Sequence, residues 1–302
     1  MSGIILAFAG VSAAAKPDAP TIGTATATGT TTATVSYTAP ANDGGSVITS
    51  YTATSSPGSI TGTLNQAGSG TITVTGLTAN TSYTFTVTAT NLIGTSVPSA
   101  ASNSITTLRE IGTAFGGGFY AGQISTAGNG IADYNLVVGP VASAQSGLRW
   151  KTSASSSPGT SSVIDGPTNS SNMNDASHPA AQFCEAVTAG GQTDWYMPAK
   201  NELEVCYYNL KPSTTANNTS SGINANAVPA RASNYTSGTP AQTSAADFKT
   251  TGAEDFSLSY YWSSTELSSS NAAVHYFLNG TQNSFTKSNT GYFVRAIRRV
   301  AV

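Results

Sequence analysis

The stretch Asp194-Trp195-Tyr196-Met197-Pro198-Ala199-Lys200-Asn201-Glu202-Leu203 decides how the larger half of this chain folds. Trp195 to Met197 reads as a short strand, and Pro198, tolerated where helices begin, leads into a helix near 200–209. Leu203, Cys206, Tyr207 and Leu210 then fall at i, i+3, i+4 and i+7, an apolar stripe that faces a core. Upstream, Ser177-His178-Pro179-Ala180-Ala181-Gln182-Phe183-Cys184-Glu185-Ala186-Val187 is a second helix signal. An early proline starts it and Gly190-Gly191 stop it. Further strands are expected at 111–124, 134–138 and 148–151. The first contains Phe115-Gly116-Gly117-Gly118-Phe119-Tyr120-Ala121-Gly122, which lacks the Lys-Ser/Thr ending and the following helix of a phosphate loop. Its glycines instead permit close backbone approach.

Residues 17–108 carry a different pattern. Pro17 and Pro20 open it, and Thr32 to Tyr37 alternates until Pro40 and Asn42-Asp43-Gly44-Gly45 stop it. Val47 to Ala53, a turn at Ser56-Pro57-Gly58, Thr71 to Val74 and Tyr83 to Ala89 follow. In the last strand Tyr83, Phe85, Val87 and Ala89 share one face, and Thr84, Thr86 and Thr88 the other. A period of two means one buried and one wet face. Short strands repeated between turn signals indicate a sandwich.

Leu77-Thr78-Ala79-Asn80-Thr81-Ser82-Tyr83-Thr84-Phe85-Thr86-Val87 resembles the E–F corner and strand F of a fibronectin type III domain. The resemblance implies that Tyr83 is the corner tyrosine, its hydroxyl bonded back to nearby backbone. It also implies that Tyr37 takes a place where many members carry Trp, and that the module is a spacer. In the remainder, the Asp194–Leu203 stretch, Tyr260-Tyr261-Trp262-Ser263-Ser264-Thr265-Glu266 and Val294-Arg295-Ala296-Ile297-Arg298-Arg299-Val300 resemble the C-terminal domain of the Lcl adhesin family. That family is a branch of the C-type-lectin-like fold with relatives among marine phage proteins. The resemblance implies a strand-to-helix hinge at Trp195–Leu203, and paired core strands at the other two motifs. The expected fold class is mainly β: an immunoglobulin-like β-sandwich over 17–108, then an α+β C-type-lectin-like domain over 109–302. An extended apolar N-terminal arm, 1–16, precedes both.

Composition narrows the function. Of the 302 residues only 9% are charged, against about 25% in an average soluble protein. Twelve basic residues against 14 acidic give a net charge of −2. No basic patch is available to neutralise phosphates, so nucleic acid is not an expected partner. Two cysteines, Cys184 and Cys206, make no disulfide framework and are read as small buried thiols, with a single bridge between them as the alternative. The arm has an apolar centre (Ile4, Ile5, Leu6, Phe8, Val11) but lacks the positive start of a secretory signal. It is also too short to span a bilayer. It is expected to dock on other virion proteins or on another copy, as an assembly anchor.

The expected function is recognition, not turnover. No Glu-Pro-Asn or Gln-Pro-Asp element with Trp-Asn-Asp is present, so no calcium is implied, and the two His and two Cys are poor material for zinc. No cofactor or metal is expected. His178, near a helix start, has no Ser or Asp partner evident by spacing, and Glu202/Glu204 and Glu254/Asp255 are read as solvated or structural. The chain is therefore not expected to be an enzyme. Pro212 to Gly252 is a long insertion of the kind that is functional or disordered. The resemblance places the binding face in 267–291. With Tyr292 added, its candidate ligand-binding residues are His275, Tyr276, Asn279, Gln282, Asn283, Phe285, Lys287 and Tyr292. Aromatics beside amides suit sugars, because rings stack on a pyranose while amides bond hydroxyls. Trp195, Trp262 and every second residue of 273–278 are assigned to the core, and Arg295, Arg298 and Arg299 to pairing with Glu202, Glu204 or Glu266. The expected protein is a phage virion surface or tail-fibre-type adhesin, a homo-oligomer that binds a host-surface glycan or protein. A head-decoration protein and a secreted bacterial adhesin are the alternatives.

Overall fold

The computed structural model describes residues 13–302. The arm residues Ile4, Ile5, Leu6, Phe8 and Val11 lie outside them. Contacts divide the chain between Glu110 and Ile111 into two compact units.

The first unit is a β-sandwich. β1 (Thr21–Ala27), β2 (Thr32–Thr38) and β5 (Gly70–Thr75) form one sheet in the order β1-β2-β5. β3 (Ser50–Ser56), β4 (Thr61–Leu64), β6 (Ser82–Asn91) and β7 (Gly94–Thr95) form the other in the order β4-β3-β6-β7, with β8 (Ile105–Thr106) also on β6. Alternation does the folding: Tyr83, Phe85, Val87 and Ala89 are buried while the threonines between them are not. Tyr37 packs on Tyr51 with ring centroids 4.2 Å apart. The Thr78 N–H donates to the Tyr83 hydroxyl at 3.0 Å, which closes the tyrosine corner.

The second unit is α+β. One sheet runs β13-β10-β11-β18, from β10 (Gly118–Ile124), β11 (Tyr134–Val138), β13 (Ala227–Val228) and β18 (Ile297–Ala301). β9 (Ala114–Phe115) pairs with β10 across Gly116 and Gly117, whose φ of 57° and 86° a turn of this tightness requires. The other sheet runs β12-β17-β14-β15-β16, from β12 (Gln145–Gly147), β14 (Tyr260–Glu266), β15 (Asn271–Tyr276), β16 (Gln282–Thr286) and β17 (Phe293–Arg295). The helices are α1 (Val141–Ala144), α2 (Gly166–Ser171), α3 (Pro179–Glu185) and α4 (Lys200–Leu210).

α4 begins where the Ala199 N–H donates to the Glu202 carboxylate at 2.8 Å. Its stripe Leu203, Cys206, Tyr207 and Leu210 is buried in one core with Ile124, Leu136, Tyr261 and Phe277. Gly122, at φ 120°, lets the helix close on β10, for a Cβ there would meet Asn209 Nδ2 at 2.3 Å. A second core gathers Trp150, Trp195, Trp262, Ala180, Cys184, Val274 and Val294. Cys184 and Cys206 therefore sit in different cores, buried and unbridged.

Two expectations are corrected and a third is narrowed. Residues 148–151 are not a strand: Trp150 turns inward, its Nε1–H donating to the Ser263 carbonyl at 2.8 Å, and the strand lies before it at β12. Trp195 to Met197 contributes one bridge, Tyr196 to Ile297, not a ladder. The 212–252 insertion is built into the unit by buried polar hooks. Lys211 Nζ donates to the carbonyls of Thr215 and Pro240, Asn217 Nδ2 donates to Pro240, and the Tyr235 hydroxyl donates to Glu204.

Candidate functional site

Residues opposite one another in a ladder share a face. Tyr260 lies opposite Tyr276, Trp262 opposite Val274, Asn283 opposite Val274 and Phe285 opposite Ala272. One face of the β14-β15-β16 ladder therefore carries Tyr260, Trp262, Tyr276, Asn283 and Phe285. Tyr292, just ahead of β17, joins them. Tyr260 stacks on Tyr276 at 4.3 Å and meets Phe285 edge-on at 5.0 Å. Tyr292 lies 5.0 Å from Phe285 and 5.2 Å from Trp262. Trp262 is fully buried, and the four other rings are half-buried around it. The result is a continuous aromatic row, rooted in the second core and edged by the exposed amide of Asn283.

The expected binding residues separate on this geometry. Tyr276, Asn283, Phe285 and Tyr292 come together, and Tyr260, which is not among the expected residues, joins them. His275 and Gln282, opposite each other in the ladder, point to the other face. His275 is 2% exposed, between Tyr207 and Phe277 at 4.7 and 5.7 Å. No protein group bonds either of its ring nitrogens or Gln282 Nε2. Burial first, then Lys200 and Arg231, push His275 down to about 3. Lys287 is fully buried as well, its ammonium donating to the carbonyls of Ser155 (2.9 Å) and Ser269 (3.0 Å) and pairing with Glu266 at 3.1 Å. Asn279 shapes the β15–β16 turn, accepting from the Thr281 hydroxyl at 2.8 Å. His275 and Lys287 are thus internal groups, not members of an outward surface.

The arginine–carboxylate pairs elsewhere tie the unit together. Arg299 pairs with Glu202 at 2.8 Å as expected, but Arg295 pairs with Glu254 and Arg298 with Asp194, while Glu204 goes to Arg231. Burial raises the Glu202 carboxyl, against the pull of Arg299, the Tyr196 hydroxyl and the Ala199 N–H. Among the described residues no three His, Cys, Asp or Glu side chains converge as metal ligands.

His178 does have partners. Its Nδ1 lies 2.9 and 3.0 Å from the two carboxylate oxygens of Asp175, and its Nε2 lies 2.7 Å from Ser157 Oγ. Asp175 is held down to about 2, by the Ser177 hydroxyl first and His178 after it. The i,i+3 spacing of Asp175 and His178 was the available signal. Ser157 comes from a loop that no periodicity reveals.

The Lcl C-terminal domain family matches residues 139–298, and the fibronectin type III domain family matches residues 18–105. No curated protein matches the chain. Among solved structures, the titin kinase with its flanking domains is 31% identical over 31% of this chain and 18% of its own, at a TM-score of 0.27. A multi-domain fragment of titin is 32% identical over 32% of this chain and 34% of its own, at 0.28. The twitchin kinase region from C. elegans is 26% identical over 32% and 17%, at 0.27. The chain spans well under two thirds of each of these proteins. Among the described residues no helix is long and apolar enough to cross a membrane.

Proposed function

The chain belongs to the Lcl C-terminal domain family, and from that premise we propose that it is a phage virion adhesin of the tail-fibre type that holds a host-surface glycan, without covalent chemistry, on its aromatic row. A fibronectin type III domain joined to an Lcl C-terminal domain suggests, more coarsely, an extracellular adhesion-type protein. The observation that carries the finer reading is the half-buried row Tyr260, Tyr276, Phe285 and Tyr292 beside exposed Asn283. Flat rings accept the C–H face of a pyranose, while phenol and amide groups bond its hydroxyls. A row this shallow binds weakly, and several copies on one particle, docked through residues 1–16, would supply avidity.

The test is adsorption of the purified full chain to host cells, together with a glycan array. Tyr276→Ala and Asn283→Ala should each lower adsorption at least tenfold, with the second unit still folded by tryptophan fluorescence. Full adsorption by both variants would rule the row out. Assembly on capsids with no adsorption would favour head decoration.

A further inference from the structure

From the contacts of His178 we infer that Ser157, His178 and Asp175 form an acyl-transfer site that cleaves small esters. This site is separate from the aromatic row and does not depend on it. The carboxylate of Asp175 can only accept, so in the neutral ring Nδ1 carries the proton and Nε2 is free to accept from Ser157. A nucleophile bonded to a base, with the base oriented by a third group, is the arrangement that nucleophilic catalysis needs. The ring is held edge-on to Trp150 at 5.5 Å, so its orientation is fixed by the core.

Two further observations point to chemistry at this serine. Lys151 Nζ, bound to the carbonyls of Ser155 and Ser156, also donates to Ser157 Oγ at 3.0 Å. It brings a positive charge within reach of the atom that attacks. This matters because the Ser157 N–H is taken by Glu266 at 2.7 Å and cannot serve a developing oxyanion. All three Lys151 N–H groups are engaged in the resting site, so the one on Ser157 Oγ would pass to the oxyanion as Oγ bonds to carbon. Ser157, itself 4% exposed, lines an open depression of about 260 Å³ with Ser156, Gly159, Thr160, Glu266 and Ser269. The depression is short and polar and has no aromatic wall. It suits an acetyl-sized acyl group on a hydroxylated carrier and not a long-chain acyl group.

The step balances with water as the only co-reactant. Ser157 Oγ adds to the ester carbonyl carbon as its proton passes to His178 Nε2. The intermediate collapses, the carbon–alkoxide bond breaks, and the alkoxide takes the proton from Nε2. Water then repeats the sequence on the acyl-serine, releasing the acid and restoring Ser157.

Diisopropyl fluorophosphate and p-nitrophenyl acetate are the probes, applied to the folded full chain. Mass spectrometry should locate one phosphoryl adduct on Ser157. His178→Asn should lower both adduct formation and acetate release by roughly 10²- to 10⁴-fold. Because Ser157→Ala also removes a partner of Lys151, Ser157→Cys provides a size-preserving second arm. Its thiol should be alkylated by iodoacetamide at least tenfold faster with His178 present than in the His178→Asn background, while buried Cys184 and Cys206 stay unreactive. No adduct on Ser157, with alkylation of Ser157→Cys equally fast in both backgrounds, would leave the three side chains as a structural clasp and overturn the inference.

Discussion

Acidification should destabilise the second unit through His275, and the size of the effect follows from its site. The ring is 2% exposed and lies against Tyr207 and Phe277, with no protein hydrogen-bond partner. Its folded-state value is about 3, against 6.5 for a free imidazole. The unfolded chain therefore takes up the proton first, so the stability held above pH 6.5 is lost as pH falls toward 3. At ~1.4 kcal/mol per pH unit, the loss is roughly 2 kcal/mol by about pH 5. All three tryptophans, Trp150, Trp195 and Trp262, belong to the second unit, so their fluorescence reports its unfolding without the sandwich. Urea midpoints at about pH 7 and pH 5 should drop for the parent but not for His275→Leu, once groups shared by both are subtracted. The same variant removes two unbonded buried nitrogens, so it should be at least as stable as the parent at neutral pH. Equal pH slopes in the two proteins would refute the reasoning.

Three other outcomes follow from single contacts. Tyr83→Phe removes the corner bond to the Thr78 N–H and should cost the sandwich about 1 kcal/mol by calorimetry, with tryptophan fluorescence unmoved. A thiol titration of the denatured, non-reduced protein should find both Cys184 and Cys206 free. The folded protein should titrate neither, because burial pushes both thiols up. Lys287→Met leaves Glu266 and two carbonyls without their buried partner and should cost roughly 3–5 kcal/mol in a denaturant melt.

The parts of the fold that were legible are those whose signal is local. The short, bounded apolar run predicts β11 over its observed span, Tyr134–Val138. The α4 stripe and the Tyr83 alternation are periodicities carried by one segment. The site was less legible because a face is a property of paired strands. Along the chain, His275 and Tyr276 are neighbours, and so are Gln282 and Asn283. Alternation sets the members of each pair on opposite faces, but the packing of Tyr207 and Phe277 on His275, and the register of His275 with Gln282, decide which face is inner. Tyr260 could have been found, since it lies two residues from buried Trp262 and must share its face. Ser157 could not, because it reaches His178 from a loop 21 residues away.

How the charges are used explains how so sparsely charged a chain holds a long insertion. Lys151, Lys211 and Lys287 spend their ammonium groups on loop carbonyls, where each fastens backbone that no ladder would satisfy. Arg231, Arg295 and Arg299 are held by Glu204, Glu254 and Glu202, all largely inside the unit. Lys211, Lys287 and the three arginines stiffen the frame, while Lys151 also reaches Ser157 Oγ. Removing one partner from such a pair is costly even where the pair itself adds little, so the sequence is constrained in the frame. The turn between β15 and β16 is held without charges, by Ser213 on the Leu278 carbonyl, Asn218 on Thr281 and Asn279 within the turn.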